Sequence, residues 1–229
     1  EFRSLQDLTI RGPYRVDVPI SRPQKIICLG RNYVAHAEEW KSQVPSEPMY
    51  FSKLPSALLP HGGHVILPKG IGRVDNEVEL AVIIGKTASK VKQQDAMQYV
   101  AGYTIAVDVT ARDVQRAAMA KGHPWTLAKG MDTFLPLGPY LIPADTVKDP
   151  HNLAIELRVN GEIRQKSNTS KMVFKIPELI ESISRYITLQ PGDIICTGTP
   201  EGTLPLKNGD KMEATIEGFG FLKNSIIER

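Results

Sequence analysis

Short apolar runs, closed by glycine or broken by polar turns, recur along this chain. KIICLG (25–30), EVELAVIIG (77–85), YTIAVDVT (103–110) and DIICTG (193–198) have the length and β-branched content of buried strands. LAIELRV and EIRQKS alternate on either side of Asn160-Gly161, the pair favoured in a type I′ turn, which predicts a hairpin. Residues 43–70 are rich in Pro and Gly and read as loop with short strands. Helical content is sparse. NYVAHAEEW (32–40) suits one or two turns and QDAMQYV (94–100) a short helix. A third helix is expected from Thr110 to about Lys121, ending at Gly122, with Thr110 and Asp113 placed as in a capping box. PELIESISRYI (177–187) is amphipathic with Pro177 in its first turn, and 189–192 form a turn. Residues 1–24 hold three prolines and no period, and read as an N-terminal arm before a single domain, 25–229. Strands dominate and no βαβ rhythm repeats, so the expected class is α+β, β-rich, with a large antiparallel or mixed sheet.

Composition narrows this picture. The 229 residues are 41% hydrophobic and 23% charged, which supports a globular core. The net charge is +3, and Lys and Arg are scattered, which argues against a nucleic-acid partner. No apolar run reaches the roughly 18 residues of a membrane-spanning helix. Cys28 and Cys196 each follow an Ile-Ile pair, as buried thiols in strands would, and a reducing compartment fits. The chain starts at Glu1 rather than Met, which reads as a processed or trimmed form. Motifs of serine hydrolases, zincins, P-loops and dinucleotide folds are absent.

The chemistry begins with acids in apolar surroundings. Glu77 and Glu79 are two apart in a predicted strand, so they share a face, about 6–7 Å apart at Cα. Two like charges in a buried strand repel unless a cation lies between them. Asp108 lies in a second apolar run. A hard divalent metal on all three is one reading, and the lack of cysteine among them disfavours zinc. The other is a solvent face for the glutamates and a turn role for the aspartate. Arg112 and Gln115, i and i+3 on the following helix, form either a carboxylate grip or a solvated face. The same choice holds for Lys129 and for Thr199 in the glycine-rich TGTPEG loop, whose backbone N–H groups suit an anion. His36 and Glu39, three apart, suit a general base for water or a merely exposed pair.

Six ordered blocks, GRNYVAHAEE, NEVELAVIIG, YTIAVDVTARDVQ, PWTLAKG, RVNGEIRQ and GDIICTGTPEG, resemble the fumarylacetoacetate hydrolase family over about residues 25–225. The likeness is greatest to its short acylpyruvase and oxaloacetate decarboxylase branch. The resemblance implies a twisted mixed β-sheet roll, a homodimer, and one Mg²⁺ or Mn²⁺ per subunit, with Ca²⁺ as a substitute. It makes Glu77, Glu79 and Asp108 the metal ligands. It makes His36, Glu39 and Lys129 catalytic, and Arg112, Gln115 and Thr199 substrate-binding. The implied activity is C–C cleavage of a small 2-oxo acid, by acylpyruvate hydrolysis or oxaloacetate decarboxylation. The alternative is isomerisation or tautomerisation on the same metal. The implied compartment is the cytoplasm or the mitochondrial matrix. The chain departs from related short members at SKLPSAL (52–58) and GMDTFLPLG (130–138), both expected to line the distal pocket.

Overall fold

The computed structural model describes residues 18–20 and 22–229. Its strands in chain order are β1 (Ile26–Gly30), β2 (Met49–Lys53), β3 (Leu58–Leu59), β4 (His64–Leu67), β5 (Val74–Asp75), β6 (Val78–Ile84), β7 (Val100–Val107), β8 (Thr110–Ala111), β9 (Leu135–Pro143), β10 (Ala154–Val159), β11 (Glu162–Asn168), β12 (Ile194–Cys196), β13 (Lys211–Ile216) and β14 (Phe221–Glu228). The α-helices are α1 (Val34–Glu39), α2 (Arg112–Ala120), α3 (Thr126–Lys129) and α4 (Ile176–Ser184). One sheet runs β2-β1-β12-β6-β7-β9-β3 and a second β11-β10-β13-β14-β4, while β5 and β8 pair alone. Parallel pairs β1–β12, β3–β9 and β4–β14 sit among antiparallel ones. The fold is the strand-rich α+β roll expected, with curled mixed sheets and few helices.

β6 is central, and all seven of its residues are buried. Its even-numbered side chains, Val78, Leu80, Val82 and Ile84, join a large apolar cluster with Leu157 and Leu222 of the second sheet. Ala81 and Ile83 face a smaller cluster with Cys28, Leu135 and Cys196. Burial on both faces explains why the run reads as nearly continuous apolar sequence. Glu77 and Glu79 therefore fall on the odd-numbered side, at the end of the smaller cluster. At the hairpin, Asn160 and Gly161 have φ 54° and 83°, the left-handed pair that a type I′ turn requires.

Local departures have local causes. Thr110 does not cap α2. It pairs with Asp75 in the β5–β8 ladder, and its hydroxyl donates to the Asp108 carbonyl at 3.1 Å. Asp113 instead accepts from the Arg73 N–H at 2.8 Å. Residues 93–99 form 3₁₀ turns rather than an α-helix, and α4 stops at Ser184 instead of continuing to 187. The expected arm, 1–24, falls largely outside the described residues, although Val18 and Ile20 pack against the smaller cluster.

Candidate active site

Strand register assembles the acids. Val78 lies opposite Val107 and Glu79 opposite Ala106. Continuing that register sets Glu77 across from Asp108, whose N–H donates to the Glu77 carbonyl at 2.7 Å. Because strand side chains alternate, Glu77, Glu79 and Asp108 share one face. Their carboxylate oxygens lie within 4.8 Å of one another, and all three residues are buried.

Cations close around two of the three. The Lys129 ammonium, at the end of α3, donates to Glu77 Oε2 at 2.8 Å, Asp108 Oδ2 at 2.6 Å and Thr110 Oγ1 at 2.6 Å, which occupies its three N–H groups. Lys53, at the end of β2, lies 2.7 Å from Asp108 Oδ1 and donates to the carbonyls of Val109 and Lys129. Arg112 donates to Glu77 Oε1, to Asp75 Oδ2 at 2.8 Å and to Gln115 Oε1 at 2.7 Å. Four buried acids, Asp75, Glu77, Glu79 and Asp108, thus meet three buried cations, Lys53, Arg112 and Lys129.

Glu79 is the acid left over. Among the described residues its hydrogen-bond partner is the Gly198 N–H, at 2.8 Å. Burial, reinforced by the charges of Asp108 and Glu77, pushes its carboxyl well above the ordinary range. Burial also works against the Glu77 charge, but Lys129 and Arg112 outweigh it and hold Glu77 well below that range. Three oxygen donors on a rigid floor, one of them lacking a cation, fit a hard divalent ion. No histidine or cysteine joins the group among the described residues.

His36 and Glu39 meet on α1, with His36 Nδ1 3.2 Å from Glu39 Oε2. Glu39 is itself anchored, accepting from the Gly202 N–H at 3.2 Å and the Thr203 hydroxyl at 3.4 Å. Burial raises the Glu39 pKa, but the bonds from His36 and Gly202 prevail and leave it below the usual value. A cleft of about 260 Å³ is lined by His36, Glu77, Arg112, Gln115, Arg31 and Trp125, among others. His36, the Arg112 guanidinium and one acid of the triad therefore open onto the same space. Thr199 is placed differently. It is buried behind the start of β6, with its hydroxyl donating to the Val78 carbonyl at 2.9 Å and accepting from Gln165 at 2.8 Å.

This arrangement has counterparts among known proteins. Residues 25–227 match the fumarylacetoacetate (FAA) hydrolase C-terminal family. The chain belongs to that family. A protein of Pyrococcus abyssi is 53% identical over 95% of this chain and 96% of its own length. The mitochondrial oxaloacetate tautomerase of Rattus norvegicus is 48% identical over 91% of this chain and 68% of its own length. The crystal structure of fumarylpyruvate hydrolase from Pseudomonas aeruginosa, in complex with Mn²⁺ and pyruvate, superimposes with a TM-score of 0.86. It is 34% identical and covers 90% of this chain and 91% of its own.

Within this fumarylacetoacetate hydrolase frame, several residues have no counterpart in the sequence reading. Lys53 looks like an ordinary strand-end lysine in MYFSK, and only its depth reveals its role. Asp75 pairs with both Arg73 and Arg112. Gln165 accepts from the Asn76 amide at 3.0 Å and the Val78 N–H at 2.9 Å, and donates to Thr199 Oγ1 and the Pro200 carbonyl at 2.8 Å each. The cleft is lined by Arg31, Arg116, Met119, Trp125 and the end of α1, and of the two segments expected in the distal pocket Ser52 lines a neighbouring cleft that shares Trp125. Most of 130–138 is built into the start of β9 and the loop before it, where Thr133 accepts from the Ile66 N–H at 2.9 Å.

Proposed function

We propose that this enzyme interconverts the keto and enol forms of a small 2-oxo dicarboxylic acid, oxaloacetate being the first candidate. The observation that carries the reading is the buried acid triad opening, through Glu77, onto a cleft that His36 also lines. Glu77, Glu79 and Asp108 would hold Mg²⁺ or Mn²⁺, with Ca²⁺ as a substitute. When bound, such an ion supplies Lewis-acid polarisation of the 2-oxo group.

The chain's own residues then have defined tasks. His36, with Nδ1 toward Glu39, presents Nε2 as the proton carrier. It takes a proton from the carbon beside the ketone and returns it to the oxygen, so the net change is a proton shift with no bond cleaved between carbons. Glu39 fixes the ring through its contact with Nδ1. Lys129, Lys53 and Arg112 keep the acid floor from repelling an anionic substrate. Arg112 and Gln115 line the space where a substrate carboxylate lies, and Thr199 steadies the loop beside it. The likeness to an oxaloacetate tautomerase supports this choice.

A second reading is hydrolysis of an acylpyruvate, with His36 deprotonating water. The anchoring of Glu39 by Gly202 and Thr203 favours it, since a fixed dyad suits water activation. Decarboxylation of oxaloacetate is its companion and needs no water. The test follows the enol absorbance of oxaloacetate with Mg²⁺, with and without a chelator, beside acetylpyruvate with pyruvate measured. Chelator-sensitive ketonisation without release of pyruvate or CO₂ is expected. Pyruvate release from acetylpyruvate would transfer the assignment to the hydrolase. A homodimer belongs to the same reading, and sedimentation equilibrium checks it.

A further inference from the structure

Trp40 occupies a junction that the chemistry above does not use. It follows Glu39 directly, at the C-terminal end of α1, and lines the cleft. Its indole N–H donates to Thr203 Oγ1 at 3.2 Å, the same hydroxyl that donates to Glu39. Three guanidinium groups surround its ring, those of Arg112 at 4.5 Å, Arg116 at 5.2 Å and Arg73 at 5.4 Å from the centroid. Stacking of this kind holds a cation and an aromatic face together. Arg112 is also bonded to Glu77 of the triad.

α1 cannot hold its own position. It has six residues and no side-chain N-cap, well short of the length at which a helix is stable alone. Where His36 sits therefore depends on tertiary contacts, from buried Asn32 and Tyr33 at the near end and from Trp40 at the far end. We infer that Trp40 is a positioning residue that seats the His36–Glu39 helix and, through Arg112, couples that seating to occupancy of the carboxylate triad. Glu77 shares its charge with Arg112. When a divalent ion claims that charge, the guanidinium shifts on the indole face, and the end of α1 registers the change. The inference rests on the metal reading of the triad, so binding and coupling are measured separately.

The chain has two tryptophans, Trp40 and Trp125. In a Trp125→Phe protein, Mg²⁺ is titrated while tryptophan emission and calorimetric heat are recorded side by side. An emission shift that tracks the binding isotherm is expected. The wild type should show the same shift, and Trp40→Phe should abolish it. Arg112→Lys keeps the charge but loses the planar stack, and should flatten the shift while Mg²⁺ still binds. Calorimetric binding with unchanged emission overturns the coupling. No calorimetric binding overturns the metal reading, and the coupling with it.

Amide exchange tests the seating without metal. In Trp40→Ala, the backbone N–H groups at position 40, Lys41 and Ser42 should exchange on the order of tenfold faster, while those paired between β6 and β7 keep their protection. Trp40→Phe, which keeps a stacking ring, should restore most of the protection. Unchanged exchange at the end of α1 in Trp40→Ala overturns the seating role.

Discussion

Glu79 and Lys53 are neighbours in one charge network, yet their removal should act in opposite directions. Glu79 is a buried carboxylate that, among the described residues, bonds a backbone N–H and pairs with no cation, so its charge costs stability in the metal-free protein. Glu79→Gln removes that cost and should leave metal-free thermal stability unchanged or higher, while saturable Mg²⁺ binding disappears from calorimetry. A variant that binds Mg²⁺ normally would refute the ligand assignment. Lys53→Met does the reverse. It leaves Asp108 short of a counter-charge and strips a donor from two carbonyls. Removing one member of a buried ion pair typically costs about 3–5 kcal/mol, and denaturant unfolding should show a loss of that order. The contrast also explains what was legible at this scale. Glu77, Glu79 and Asp108 announced themselves because acids inside apolar runs demand compensation. Lys53 did not, since a lysine at a strand end usually keeps its ammonium in water.

At the scale of elements, local pattern carried the strands and failed where a side chain answered to something distant. The β6 run and the Asn160-Gly161 turn are set by neighbours in sequence, and both stand where the pattern put them. Thr110 was misread as a helix cap because Lys129 and the Asp75 ladder, far away in sequence, claimed it first. α1 shows the same dependence with a pH consequence. Its carboxylate, Glu39, has a folded pKa below the unfolded value, because bonds from His36 and Gly202 prevail over burial. A depressed carboxylate contributes stability above its unfolded pKa, about 4.3, and loses it as pH falls through the folded value. Docking of α1 should therefore weaken only in acid, below about pH 4. The Trp40 indole N–H resonance, bonded to Thr203 beside Glu39, is the reporter. It should move as pH falls from 6 to 3, and Glu39→Gln should remove that movement. A resonance that stays still between pH 6 and 3 would take Glu39 out of the docking of α1.

Across the whole molecule the two sheets meet through apolar packing, and the Gln165 side chain spans the join. Gln165 belongs to β11, in the second sheet, but its four hydrogen bonds go to Asn76, Val78, Thr199 and Pro200 beside β6 of the first. Those partners flank Glu77 and Glu79 on one side and the TGTP loop on the other. A single amide therefore ties the floor of the candidate site to the sheet that does not contain it. No periodicity in a hairpin strand could reveal this, since the partners are at least 34 residues away. The carbon skeleton of Gln165 can be replaced by Leu, which leaves four buried partners without it. Unmet buried groups cost about 1–3 kcal/mol each, with some relief from relaxation and water. In a chain of this size each kcal/mol lowers Tm by about 2–4 °C. Gln165→Leu should thus lower Tm by roughly 5–12 °C while unfolding remains a single transition. Mg²⁺ affinity should fall too, because the start of β6 loses its brace. Gln165→Glu separates the two effects. Its carboxylate still accepts from Asn76 and Val78 but cannot donate to the Pro200 carbonyl, so the glutamate floor keeps its support while the loop loses its own. Metal binding close to wild type in Gln165→Glu, with a lowered Tm, would place the brace on the β6 side. Equal loss of metal binding in both variants would place it in the TGTP loop.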